Sequence, residues 1–95
     1  MSTNHIKIPY KETALGNNQY IREFAADADT DELEWHLDRE DRIVDVIEDG
    51  GWQFQLENEL PIPLKNSVFV PKETYHRVLR GSDKLVIKLT KLQTI

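Results

Sequence analysis

The chain has 95 residues, of which 39% are hydrophobic and 31% charged, and its net charge is −5. These values fit a single globular domain, residues 1–95, with one core. The acidic balance argues against nucleic acid as a partner, because a phosphate backbone needs a basic stripe. The lack of cysteine excludes disulfides and thiolate metal sites. Since no segment has the pattern of a membrane span or a signal peptide, we expect a cytoplasmic protein that does not bind membranes.

Short segments with the two-residue period of β-strands begin near the N-terminus. The first two predicted strands, residues 6–8 and 20–24, flank a turn-forming Gly-Asn-Asn sequence at residues 16–18. Thr30 can cap at most one helical turn in the acidic stretch that follows. Residues 33–38 are predicted to form the first strong strand.

The second half of the chain carries clearer strand signals. Predicted strands cover residues 42–48, 52–56, 67–70, 75–79 and 85–89. Asp49, Gly50 and Gly51 are typical of a hairpin turn. Pro61 and Pro63 restrict the residue between them to an edge strand or a loop. Many short strands, with a turn about every eight to twelve residues, predict an all-β sandwich or barrel.

His36, Asp38 and His76 carry the most specific chemical signal. His36 and Asp38 lie two residues apart in a predicted strand, so they should emerge on the same face. Two imidazoles and one carboxylate form the facial triad that commonly holds non-heme Fe(II), and imidazole serves Zn²⁺ equally well. A hydrogen-bonded His–Asp pair without metal is the alternative. We therefore predict a site for a divalent transition metal, namely Fe, Mn, Ni or Zn, whose identity the pattern leaves open.

Four more side chains are candidates for contact with a small molecule. Gln53 and Gln55 share one face of a predicted strand and would reach a ligand only if the barrel interior is polar. Arg42 is suited to anchor an acidic group, and Tyr75 to orient a carboxylate or a sugar. For each of these residues, an exposed position without a ligand is the competing interpretation.

The spacing of these residues resembles the two sequence motifs of the small single-domain cupins. His36 falls on the first histidine of the first motif, Asp38 replaces the second histidine, and Ile43 takes the glutamate position. In the second motif Pro71 and His76 match. The resemblance implies a double-stranded β-helix, which is a jelly-roll barrel with a metal inside.

The resemblance covers about residues 30–90 and leaves two functions open. The first is a metal-binding protein that takes a small polar or anionic molecule, with oxygenase or isomerase chemistry. The 2-oxoglutarate oxygenases share the His-x-Asp…His pattern, but Arg80 lies too early and Lys88 matches only loosely the residue that grips their co-substrate. The second is a metal-free, non-catalytic module that binds a small molecule or a protein. Edge strands and a small core also predict a homodimer.

Overall fold

The computed structural model describes residues 10–92, which form eight β-strands and one turn of 3-10 helix. The strands are β1 (Lys11–Gly16), β2 (Gln19–Phe24), β3 (Asp41–Glu48), β4 (Gln53–Leu56), β5 (Ile62–Pro63), β6 (Ser67–Val70), β7 (His76–Leu79) and β8 (Leu85–Leu92). The 3-10 turn, Asp31–Leu33, lies between β2 and β3. Within this described part, no helix has the length and apolar character needed to cross a membrane.

The strands form two antiparallel sheets. The larger has the order β1-β2-β8-β3-β6, and the smaller has the order β5-β4-β7. Alternate residues of the strands point between the sheets, where Trp52 is only 1% exposed and its ring lies 5.7 Å from that of Phe24. The buried apolar cluster consists of Phe24, Ala28, Trp52, Phe54, Leu64, Val68, Val70, Leu85 and Ile87. The predicted all-β jelly roll is confirmed.

Strands β3, β4, β6, β7 and β8 confirm the predictions for the second half of the chain, with small shifts at their ends. The two prolines act as expected, because β5 is an edge strand of the smaller sheet. At the N-terminal side, the turn at residues 16–18 is confirmed by three residues with positive φ. The strand predicted at residues 6–8 lies outside the described residues.

The strand predicted over residues 33–38 is wrong for most of its length. Leu33 ends the 3-10 turn, and within the predicted range only His36 forms a β-bridge. The reason is local, since the Thr30 hydroxyl accepts a hydrogen bond from the Glu32 N–H at 3.2 Å. The Leu33 and Glu34 amides likewise donate to carbonyls within the turn. These backbone groups are therefore satisfied before the chain reaches a sheet.

The turn at residues 49–51 has the expected positive φ at Gly50 and Gly51, but it does not form a hairpin. It joins β3 to β4, which belong to different sheets. The connection from β7 to β8 also changes sheets, and the two turns meet. The amides of Ser82 and Asp83 both donate to the Gly50 carbonyl, at 3.0 and 3.1 Å. This contact ties together the corner where the chain passes twice between the sheets.

Candidate metal centre

His36 and His76 pair with each other in an isolated antiparallel β-bridge. The His36 amide donates to the His76 carbonyl at 3.0 Å, and the His76 amide donates to the His36 carbonyl at 2.9 Å. Directly opposed residues of such a pair project on the same side. The two imidazole rings consequently lie with their centroids 4.3 Å apart. Backbone pairing thus brings together two imidazoles that are far apart in the sequence.

A backbone carbonyl two residues earlier orients each imidazole. Nδ1 of His36 lies 2.7 Å from the Glu34 oxygen, and Nδ1 of His76 lies 2.9 Å from the Thr74 oxygen. Because a carbonyl oxygen only accepts, each Nδ1 must carry the hydrogen. In the neutral ring the lone pair is then on Nε2, the atom available to a metal. Metal-binding histidines are commonly held by such a hydrogen bond from their other nitrogen.

Asp38 completes the group that the sequence predicted. Its Oδ2 lies 3.2 Å from Nε2 of His76, and its Oδ1 lies 3.3 Å from Nη2 of Arg42. One ligand atom from each of His36, Asp38 and His76 lies within 4.8 Å of the others. Metal–ligand bonds of about 2.0–2.2 Å separate two ligand atoms on one ion by roughly 3–4.4 Å. The three side chains are therefore close enough to bind one ion.

Two buried atoms at the centre of this group indicate whether a cation fits between the side chains. Among residues 10–92, His36 Nε2 and Asp38 Oδ2 are buried without a hydrogen-bond partner. Each has a neighbour at 3.2 Å, Glu32 Oε2 and His76 Nε2 respectively, but neither contact has the alignment of a hydrogen bond. An unsatisfied buried polar atom costs about 1–3 kcal/mol. A cation between these atoms would satisfy both, so the donor set fits a divalent metal.

Glu32 belongs to the same cluster, although sequence reasoning missed it. It lies on the 3-10 turn, which packs against β7, and its side chain lines the cavity together with Asp38 and His76. The sequence signal was its four-residue spacing from His36. That spacing was overlooked because the surrounding residues resembled an acidic surface turn.

The charged groups of the cluster shift one another's pKa values. Contact with the Glu32 carboxylate raises the pKa of His36, against the opposing effect of burial. Burial opposes the ionisation of Asp38, but contact with His76 and the charge of Arg42 outweigh it and lower the pKa of Asp38. Burial also opposes the ionisation of Glu32, but the contact with His36 outweighs it and lowers the pKa of Glu32. Both carboxylates are therefore ionised at neutral pH.

A cavity of about 50 Å³ adjoins the cluster. Its wall is apolar and comes from both sheets, while Glu32, Asp38, Arg42 and His76 form part of its polar lining. Since one water needs about 10–15 Å³ on this scale, the space suits roughly four waters or a ligand of that size. Any molecule held beside the cluster would have to be small.

Three of the predicted ligand-binding residues do not line this cavity. Phe54 points into the core, so its neighbours Gln53 and Gln55 in β4 face outward. Gln55 accepts a hydrogen bond from Arg77 at 2.9 Å on that outer face. Tyr75 is 48% exposed. The structure therefore gives these three residues no contact with a molecule inside the barrel.

Arg42, the fourth predicted contact residue, does line the cavity. Arg42 is the residue of β3 that lies beside Asp38. Ile43, which takes the glutamate position in the motif, is absent from the cavity lining. The Arg42 guanidinium also donates to Glu40 at 2.7 Å. It is already paired with two carboxylates, which weakens its predicted role as an anchor for an acidic ligand.

Comparison with solved structures identifies the fold. A cupin domain from Bordetella pertussis matches with a TM-score of 0.61 and 16% identity, over 88% of this chain and 94% of that one. KdgF from Halomonas sp. matches with a TM-score of 0.61 and 23% identity, over 90% and 78% of the two chains. Fe(II) HppE matches with a TM-score of 0.58 and 12% identity, over 78% and 41%.

The likeness to these proteins extends to the fold and not to whole enzymes. The chain spans 35% of a matching DMSP lyase chain and 41% of the HppE chain. No protein-family model matches the sequence, and no curated protein matches it. This protein has the cupin jelly-roll fold, and its function must be inferred from its own site.

Proposed function

We propose that this protein binds one divalent transition-metal ion through Nε2 of His36, Nε2 of His76 and the carboxylate of Asp38. The observation that carries the proposal is the pair of buried atoms without partners, His36 Nε2 and Asp38 Oδ2. They lie within ligand distance of each other and of His76. Hydrogen bonds from both Nδ1 atoms to carbonyls leave the Nε2 lone pairs available.

The charge balance around the cluster also favours a divalent cation. Four carboxylates surround two guanidiniums, an excess of two negative charges when the imidazoles are neutral. The carboxylates are those of Glu12, Glu32, Asp38 and Glu40, and the guanidiniums are those of Arg22 and Arg42. The excess comes from Glu12 and Glu40, whose side chains are 35% and 30% exposed, so water screens part of it. One divalent ion would balance it.

The second part of the proposal is a small polar molecule bound beside the metal. The cavity volume of about 50 Å³ supports a compact ligand. The metal would serve as a Lewis acid or an activator of dioxygen, so oxygenase and isomerase reactions are the first to test. Because Arg42 is already paired with two carboxylates, we expect polar atoms of the ligand to coordinate the metal. The Fe(II) in HppE makes iron the first ion to examine.

Metal analysis of the purified protein tests the proposal. We expect one equivalent of Fe²⁺, Mn²⁺, Ni²⁺ or Zn²⁺ in the wild type. Asp38→Asn and His76→Ala should each weaken binding by more than about 100-fold, because each removes a ligand. Asp27→Asn is the matched control, since Asp27 is exposed and outside the cluster. Metal retained equally by all four proteins would contradict the assignment of these ligands.

Thermal unfolding provides an independent measurement. A ligand at 100 times its Kd stabilises the folded state by about 2.7 kcal/mol. For a domain of this size each kcal/mol raises Tm by about 4–8 °C. Metal added to chelator-treated wild type should therefore raise Tm by roughly 10–20 °C. An unchanged melting curve at millimolar metal would overturn the proposal.

A metal-free jelly-roll module is the second candidate, and one observation favours it. The two histidines each lie 3.2 Å from a carboxylate, Glu32 for His36 and Asp38 for His76. Two protonated imidazoles would balance the same negative charge as a divalent ion. In that case the protein would bind a small molecule or a protein partner without catalysis, and the metal analysis would find no metal in the wild type. The homodimer and the cytoplasmic location stay predictions.

A further inference from the structure

We infer that Glu32 is a fourth ligand of the metal, which makes the site one of two histidines and two carboxylates. The inference rests on the metal binding proposed above. Its starting point is the distance of 3.2 Å between Glu32 Oε2 and His36 Nε2. This equals the distance between Asp38 Oδ2 and His76 Nε2, two atoms already assigned as ligands.

The chemistry of this contact calls for a positive charge between the two atoms, supplied either by a metal ion or by a proton on His36. Nδ1 of His36 holds its hydrogen for the Glu34 carbonyl, so in the neutral ring Nε2 presents a lone pair. Glu32 Oε2 is also an acceptor, and the two atoms face each other without the alignment of a hydrogen bond. Metal bonds of about 2.1 Å place adjacent ligand atoms roughly 3.0–3.4 Å apart. A metal ion would account for both the separation and the poor hydrogen-bond geometry. Glu32 lies outside the group of His36, Asp38 and His76 whose ligand atoms are within 4.8 Å of one another, so its side chain would close towards the ion as the ion binds.

The fold holds Glu32 towards the cluster. The 3-10 turn is closed by hydrogen bonds from Leu33 to the Thr30 carbonyl at 3.1 Å and from Glu34 to the Asp31 carbonyl at 3.0 Å. The turn packs against β7, the strand that begins with His76. The Glu32 side chain is consequently only 27% exposed, whereas Asp31 and Glu34 lie on the surface.

The opposite side of the cluster offers no such ligand. The cavity-lining residue of β3 beside Asp38 is Arg42, whose guanidinium has no lone pair to donate. It fixes Oδ1 of Asp38 and leaves Oδ2 facing the histidines. On the side of His36, by contrast, Glu32 offers a second negatively charged group.

Glu32 has one competing role, which is to orient His36 or add negative charge without touching the metal. Glu32→Gln removes the charge and keeps the size of the side chain. Glu32→Asp keeps the charge but withdraws the carboxylate by one methylene. Glu59→Gln is the matched control, since Glu59 is exposed and lies outside the cluster. Far-UV circular dichroism and Tm verify that each variant is folded.

The experiment uses Co²⁺ as the probe, with the affinity measured by chelator competition and the ligand set by visible absorption and X-ray absorption. We expect Glu32→Gln to weaken Co²⁺ binding at least tenfold and to change the spectrum. Glu32→Asp should also change the spectrum, because the shorter side chain alters or loses the metal contact. Glu59→Gln should match the wild type in both measurements.

The outcomes separate this inference from the proposal beneath it. A Glu32→Gln variant with unchanged affinity and spectrum would overturn the inference and leave the three-residue site standing. Weaker binding with an unchanged spectrum in both Glu32 variants would assign Glu32 a positioning role and also overturn it. If the wild type itself binds no Co²⁺, the proposed function and the inference fail together.

Discussion

The orientation of the two imidazoles is set by the backbone of their own segments. Both histidines donate Nδ1–H to a carbonyl two residues earlier, at 2.7 Å for His36 and 2.9 Å for His76. Neither orientation depends on a metal, so the ligand atoms are arranged before any ion binds. Such preorganisation reduces the cost of forming the site.

This arrangement predicts the tautomers of the metal-free protein. At alkaline pH, where imidazoles are neutral, both His36 and His76 should carry their hydrogen on Nδ1, because only that nitrogen faces an acceptor carbonyl. Long-range ¹H–¹⁵N correlation NMR on chelator-treated protein measures this directly. A hydrogen on Nε2 of either ring would mean that its lone pair is not available as described.

At the scale of elements, the corner formed by the two sheet-changing turns positions the strands that bear the site. Gly81, in the turn between β7 and β8, lies very close to the turn between β3 and β4. A Cβ added to Gly81 would overlap the Gly50 carbonyl oxygen and lie 2.6 Å from the backbone nitrogen of Trp52. The Trp52 indole also donates to the Asp83 carbonyl at 2.7 Å. The core tryptophan and both turns therefore depend on this close approach.

We expect Gly81→Ala to lower the free energy of unfolding by about 2–3 kcal/mol, because backbone atoms on the facing turn cannot easily move aside. Gly16→Ala provides a comparison with free space, since no atom lies within 4 Å of its Cβ. Because Gly16 has a φ of +85°, we expect Gly16→Ala to lower the free energy of unfolding by about 1 kcal/mol through backbone strain alone. Urea unfolding of both variants measures the difference. Equal costs would show that the turns are not tightly packed.

At the scale of the whole molecule, the shifted pKa values make the stability of the metal-free protein depend on pH. The pKa of His36 is raised, so its contribution is complete below its ordinary value of 6.5 and is lost as the pH rises through the folded-state pKa. The pKa values of Glu32 and Asp38 are lowered from 4.5 and 3.8. Their contribution is present above those values and is lost as the pH falls through the folded-state pKa values.

The metal-free protein should therefore be most stable between about pH 4.5 and 6.5, and less stable at pH 8.5 than at pH 5.5. Urea unfolding in the presence of a chelator at these two pH values tests the sign. His36→Gln should reduce the loss on the alkaline side, because it removes the group responsible. A wild type that gains stability from pH 5.5 to 8.5 would show that other groups dominate.

The sequence by itself determined the fold class and the three central side chains of the site. The two-residue period predicted β4, β6, β7 and β8, because residues that alternate between core and surface leave that period in the sequence. His36, Asp38 and His76 stood out through residue type and spacing, and the structure brings them together. The strand β1 was missed because all six of its residues are exposed, so no apolar period marks it.

Only the tertiary structure decided what surrounds those three side chains. Glu32 reaches His36 because a 3-10 turn, and not a strand, precedes the histidine. Arg42 rather than Ile43 lines the cavity because a shift of one residue along β3 reverses the face of the side chain. Both outcomes depend on where a short segment begins and ends. Such boundaries depend on hydrogen bonds with the rest of the fold, which a local sequence pattern does not contain.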